Sequence, residues 1–150
     1  MSIEMSGKSQ RKTVCSTQRS DYRRWVCVTL RYGDTDRQGH INNAVYCTLA
    51  ESGRVDFLFD GAESAAGNDT AFVIARLSLD YLHEMHYPGI AEIGSKVLSI
   101  GNSSFLVGQG IFYNGHCCST AESVIVLIDK DSGKSRRIEE PLLTRLKELL

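Results

Sequence analysis

No run of about 18 or more apolar residues occurs in this 150-residue chain, so no segment has the length and hydrophobicity of a membrane-crossing helix. An excess of one charge sign is also missing. Seventeen Lys and Arg stand against 18 Asp and Glu, a formal net charge of −1. Without a global field, nothing draws the protein toward nucleic acid or an anionic membrane, and a polyanionic ligand must be met by a local basic patch. Only two prolines are present, and no Pro/Ser-rich linker or internal repeat divides the chain, so one domain is expected. The five cysteines, Cys15, Cys27, Cys47, Cys117 and Cys118, are odd in number and lack C-x-x-C spacing. Cys117 and Cys118 are neighbours and point to opposite faces of a strand, which suits neither a shared metal nor a disulfide. Free thiols in a reducing compartment are expected, and with no apolar stretch of signal-peptide type near Met1 the expected location is the cytoplasm.

What is there is an ordinary globular composition, 42% hydrophobic. Residues 1–21 are polar without apolar periodicity and read as a flexible leader; the domain is expected over 22–150. Residues 25–32 are β-branched and aromatic and read as a strand that stops at Gly33. A polar loop follows to Asn43, and Asn42 and Asn43 are N-cap candidates for a helix over about 44–59. Tyr46, Ala50, Gly53 and Phe57 form one stripe on that helix, with Val45, Leu49, Val55, Leu58 and Phe59 on other sides, so burial around much of its circumference is expected. Four strand-like segments come next: 72–83, 90–100, 104–113 and 124–129. In the first, Val73, Ala75, Leu77, Leu79 and Tyr81 are expected to share a face. Asn114-Gly115 marks a hairpin turn. Pro141 opens a short terminal helix with Leu142, Leu146 and Leu149 on one stripe. One long apolar helix cannot bury itself alone, so an antiparallel sheet is expected to wrap it, giving an α+β domain.

The chemistry concentrates between Tyr32 and Asn43, just ahead of the helix. A helix N-terminus offers unpaired N–H groups and about half a positive charge, which suits an anion or a carbonyl oxygen becoming one. A carboxylate beside it could serve as general base or nucleophile, an arrangement for hydrolysing esters or thioesters. Spacing alone favours a plainer account, in which Asp34 and Asp36 only order the loop through Asx turns.

The run Y-G-D-T-D-R-Q-G-H-I-N-N-A-V-Y at residues 32–46, followed by Glu51 and Arg54, resembles the signature of the 4-hydroxybenzoyl-CoA thioesterase family of hotdog proteins. Arg76-Leu77-Ser78-Leu79-Asp80-Tyr81-Leu82 and Gly101-Asn102-Ser103-Ser104-Phe105 extend the resemblance, which covers about residues 25–130. The resemblance implies a hotdog fold, a five-stranded antiparallel sheet around a long central helix, and hydrolysis of an acyl-CoA thioester. It implies Asp36 as the catalytic carboxylate, attacking the carbonyl carbon or activating water, and the Asn43 backbone N–H as the group polarising the thioester carbonyl. Glu51 is the reserve carboxylate, since other hotdog thioesterases use one on the helix, and it is otherwise expected to pair with Arg54 three residues on. His40 is a second reserve. Gly39 and Tyr46 are expected at the substrate, and the pantetheine arm near Ser103 and Ser104. The family builds its sites between subunits, so a homodimer or homotetramer is implied. Residues 47–50, Cys47-Thr48-Leu49-Ala50, depart from the aromatic residues common there and leave the acyl group open.

No metal and no redox cofactor are expected; coenzyme A enters as part of the substrate. His83, His86 and His116 fall on strands and turns without shared helical spacing. Lys134, Arg136 and Arg137 form a small basic cluster that could meet the 3′-phosphate of coenzyme A or simply be solvated. Two other readings stand beside acyl-CoA hydrolysis: release of an acyl chain from a carrier protein, and non-catalytic acyl-CoA binding.

Overall fold

The structure, a computed structural model, describes residues 15–150. The elements in chain order are β1 (Arg24–Thr29), α1 (Val45–Leu58), a short hairpin of β2 (Phe59–Asp60) and β3 (Glu63–Ser64), β4 (Thr70–Tyr81), β5 (Ile90–Ile100), β6 (Ser104–Tyr113), β7 (His116–Asp129) and α2 (Leu142–Lys147). Five strands form one antiparallel sheet in the order β1-β5-β6-β7-β4, with α1 against one face. This is the hotdog arrangement of helix and sheet.

Sequence periodicity located the elements, but pairing set their ends. β1 stops at Thr29 and not at Tyr32, because its partner β5 begins at Ile90, opposite Thr29. β7 starts at His116, well before the expected Val124. Ser119, Thr120, Ala121 and Ser123 are buried there between two neighbouring strands, so context overrides their weak strand propensity. β4 carries a bulge between Ile74 and Arg76. The extra residue inverts the alternation, so Val73 does not share a face with Leu77 as expected.

On α1, the stripe of Tyr46, Ala50, Gly53 and Phe57 is buried as expected. Val55 is 47% exposed, so the helix is covered along one side only in the single chain. Gly53 is required by close approach. A Cβ there would lie 2.6 Å from Gln109 Nε2 and 2.7 Å from Ile93 Cγ2. Two apolar clusters lie under the helix. One gathers Leu30, Ile41, Tyr46, Leu49, Met85 and Ile111 near its start. The other gathers Phe57, Val97, Phe105, Ile125 and the α2 leucines Leu142 and Leu146, with Leu149, near its end. Each fully buried leucine contributes on the order of 1.5–3 kcal/mol, which is what holds so short a helix in place.

Between the clusters runs a polar belt. Arg54 is buried and its Nη1 donates to Gln109 Oε1 at 3.3 Å and Ser123 Oγ at 3.2 Å. Gln109 Nε2 donates in turn to Ala50 O and Ser95 Oγ, both at 2.9 Å. The expected Glu51–Arg54 pair does not close: the guanidinium hydrogen-bonds inward and burial lowers its pKa, while Glu51 stays near enough to act on it as a charge that partly offsets this. On the opposite sheet face, Tyr22 packs over the glycines at 94 and 110, and Cys15 is buried with its thiol directed at Ala121 O. Residues 15–21 of the expected leader therefore belong to the packed body, and residues 1–14 lie outside the described residues. All five cysteines are free thiols.

Candidate active site

The two loop aspartates have different surroundings. Asp34 is buried and accepts from its neighbour Arg31 three times: backbone N–H at 2.8 Å, Nη2 at 2.8 Å and Nε at 3.2 Å. These bonds hold its carboxyl below the usual carboxylate range. Its backbone carbonyl accepts the Asn42 N–H at 2.8 Å, which folds the loop back on itself. Asp36 is half-buried at the tip. Its Oδ1 accepts from the N–H of Gln38 at 2.8 Å and of His40 at 3.2 Å, an Asx turn that fixes the carboxylate and directs both of these bonds to one oxygen. Gly39, at φ 83°, supplies the left-handed residue that this turn needs.

The helix begins one residue later than expected from Asn42 and Asn43. Ala44 is the N-cap, and Asn42 closes the turn ahead of it by accepting the Ala44 N–H on Oδ1 and the Val45 N–H on its carbonyl, both at 2.9 Å. Among the described residues, none accepts a hydrogen bond from the Asn43 N–H. Asp36, His40, Asn43 and Tyr46 line one pocket of about 270 Å³ together with Ile41, Tyr81, Leu82, His83 and Glu84. The Tyr46 and Tyr81 rings meet edge-on, 5.1 Å apart, and the Tyr81 hydroxyl donates to Asn43 O at 2.9 Å. Burial pushes the Tyr46 phenol up to about 12, so near neutral pH it is a protonated donor.

The remaining candidates sit elsewhere. Glu51 lies on the solvent side of α1 in a second cleft of about 210 Å³, with Arg54, Val55, Leu58, Phe59, Phe72, Val73, Ile74 and Ile125. Ser103 and Ser104 stand at the β5–β6 turn, where Ser104 pairs with Val126 and Val126 with Val73. Tyr81, at the pocket, is eight residues along β4 from Val73, or about 26 Å at strand rise, so one chain keeps these serines far from Asp36. In the basic cluster Arg136 is engaged by Asp69 and Asp129. Arg137 instead lines a pocket of about 390 Å³ with Gly101, Asn102 and Lys147.

Tyr81, Leu82, Glu84 and His86 were not legible as site residues from sequence. They reach the loop through a long-range bridge of His40 with His86 within the chain and an Ile41 N–H bond to Met85 O, which no local pattern encodes.

The model of the thioesterase-like superfamily matches residues 30–146. The chain belongs to that superfamily. It is 28% identical over 109 residues to the uncharacterized protein YsmA of Bacillus subtilis, covering 72% of this chain and 74% of YsmA. Among solved structures it is similar to PA5185 of Pseudomonas aeruginosa, at 25% identity, TM-score 0.81 and coverage of 87% and 94% of the two chains. It is similar to a predicted thioesterase of Bacillus stearothermophilus, at 27% identity, TM-score 0.76 and coverage of 84% and 95%. A Thermus thermophilus thioesterase complexed with coenzyme A and Zn matches at 26% identity, TM-score 0.74 and coverage of 86% and 95%. Membership places this hotdog protein among thioesterase-like enzymes, and no helix of the described residues is long and apolar enough to cross a membrane.

Proposed function

We propose that the protein hydrolyses an acyl-CoA thioester, with Asp36 as nucleophile or general base and the Asn43 N–H polarising the carbonyl, in the manner of the 4-hydroxybenzoyl-CoA thioesterase branch. The observation that carries this reading is the convergence of the Asp36 carboxylate and the α1 N-terminus on one pocket. Backbone dipoles there favour the oxyanion that forms as the carbonyl is attacked, and the carboxylate supplies the attacking group or the base. Coenzyme A in the Thermus thermophilus relative supports a CoA-type substrate.

The proposal includes a second subunit. β4 is a sheet edge bearing exposed Val73 (39%) and Ile74 (48%), and the pocket wall includes Tyr81 at 51% and Leu82 at 43% exposure. An unpaired apolar edge of this length is a template for another strand. Antiparallel pairing of two β4 strands about a two-fold axis would set the Val73 end of each beside the Tyr81 end of the other. Ser103 and Ser104 of the partner subunit would then approach the Asp36 pocket, with Arg137 and Lys147 behind them as cations for the phosphates of coenzyme A.

The test is thiol release from a panel of acyl-CoAs, acetyl to palmitoyl and aromatic, with Asp36→Asn run beside the wild type. Turnover that is lost in the variant supports the reading. Absence of turnover on every member overturns hydrolysis of acyl-CoA; turnover on acyl-carrier protein alone moves the substrate to that carrier, and tight acyl-CoA binding without turnover leaves a binding protein.

A further inference from the structure

We infer that His40, Glu84 and His86 form a binding site for a zinc-class divalent cation at the rim of the Asp36 pocket. The three side chains come from two segments joined by the backbone bridge of His40 with His86, which brings both imidazoles to one side. One ligand atom from each lies within 4.8 Å of the other two. Glu84 Oε2 is 3.3 Å from His40 Nε2 and 3.5 Å from His86 Nε2. Donors placed about 2.0–2.1 Å from a tetrahedral ion are about 3.3 Å apart, so both edges have the length that a shared ion sets. They are longer than the usual charge-assisted N–H···O bond of about 2.7–2.9 Å.

The tautomer is also arranged. His86 Nδ1 lies 3.3 Å from Gly39 O, a carbonyl that can only accept, so an Nδ1–H donating there would leave Nε2, 3.5 Å from Glu84 Oε2, as the nitrogen available to an ion. An imidazole held by a carbonyl behind it, with its other nitrogen aimed at a carboxylate and a second imidazole, is how protein zinc ligands are oriented. The rings of His40 and His86 are 5.1 Å apart and nearly perpendicular, which lets both nitrogens converge. Two imidazoles and one carboxylate are a zinc donor set, and three protein donors leave a fourth position for water or a substrate oxygen. His40 and Glu84 also line the pocket that contains Asp36. A bound ion would clasp the 39–41 turn, whose His40 N–H fixes the Asp36 carboxylate, to the 84–86 segment. The His83–His116 pair, with rings 6.2 Å apart and tilted, has no carboxylate with it in the metal-capable cluster.

The site is tested on the full-length protein, stripped with a chelator, by titration with zinc chloride in a calorimeter and with cobalt(II) in an absorption spectrometer. One ion per chain is expected, with cobalt bands of nitrogen and oxygen ligation and no sulfur-to-metal charge transfer. His86→Ala and Glu84→Ala should each weaken binding about 100-fold or more, because loss of even an outer partner of a metal ligand costs about 10–100-fold. His116→Ala should bind as the wild type does. Circular dichroism of each variant checks that the fold is retained, and paired His86→Gln keeps the side-chain size where His86→Ala unfolds. Absence of saturable binding, sulfur bands pointing to the cysteines, or equal loss in His116→Ala would each overturn the site. None of these readouts depends on thioester turnover.

Discussion

Two clefts lie along α1, and each sets a carboxylate of the helix or of the loop before it near β4, yet their chemistry differs. In the first, Asp36 sits beside the helix start with Asn43, Tyr46 and His40 around it. In the second, Glu51 stands mid-helix beside Val55, Leu58, Phe59, Phe72, Val73 and Ile74. Mid-helix N–H groups are spent on the helix itself, so α1 offers no free N–H to a developing oxyanion beside Glu51. The cation nearest in sequence, Arg54, is turned into the polar belt and serves Gln109 and Ser123. The difference teaches that a carboxylate is not enough; what the backbone presents next to it sets which charge a cleft can favour.

The largest expected effect follows from that contrast. If Asp36 acts as proposed, Asp36→Asn should lower kcat by about 10²–10⁴, the usual worth of a general base, with the fold intact. Glu51→Gln should stay within about threefold of wild type, a shift under 1 kcal/mol in barrier. Thiol release under saturating acyl-CoA checks both. Were Glu51→Gln the crippling change, the two clefts would exchange roles.

A second contrast concerns the two sheet edges. β1 presents Arg24, which is paired with Asp56, whereas β4 presents Val73 and Ile74. In the proposed pairing Ser78 faces Arg76 of the partner subunit, so Ser78→Lys would set like charges opposite each other twice across the two-fold axis and should weaken self-association by about tenfold, read by sedimentation velocity. Activity should fall with it if, as proposed, a partner subunit completes the pocket. Cys27→Lys on the β1 edge should alter neither.

How much of this was readable before folding depends on whether the signal is local. The stripe of Tyr46, Ala50, Gly53 and Phe57 and the terminal leucines follow from helical period, and both are buried. The 32–43 loop was readable because glycine, asparagine and aspartate carry turn chemistry in their own side chains. Start of β7 at His116 was not, since small buried residues gain strand structure only from neighbours on both sides. Arg54 was misassigned for the same reason: the Glu51 spacing is a local cue, and the pull of Gln109 and Ser123 comes from strands more than 50 residues away. Glu84 and His86 reached the site through a bridge across the chain, which composition and period do not carry.

The polar belt between the clefts offers a smaller test. Gly53→Ala gains about 1 kcal/mol of helix propensity but places a methyl against Gln109 Nε2, Ile93 and Ser95, all buried in the sheet. Overpacking of such a site costs about 1–3 kcal/mol, and Gln109 cannot shift without losing its bonds to Ala50 and Ser95. A net loss of about 1–2 kcal/mol is expected in urea unfolding at unchanged m-value. A gain would show that the belt is loose enough to admit the methyl.

The smallest effect separates the two loop aspartates by pH. Bonds from Arg31 keep the Asp34 carboxyl below its ordinary range, so the folded protein binds its proton less readily than the unfolded chain does. Stability from Asp34 is therefore fully present above the unfolded Asp pKa of about 3.9 and is lost as pH falls through the lower, folded value. Arg31 is 80% exposed, which holds the ion-pair part of this contribution to the weak range of surface pairs. Asp34→Asn keeps an oxygen for the Arg31 N–H but no charge. Its urea midpoint should fall below that of wild type near pH 7, and the two curves should converge as the buffer is taken below about pH 3. A gap that widened on acidification would mean that the folded state raises this carboxyl, and the distinction between a loop-holding Asp34 and an Asp36 proposed to react would have to be redrawn.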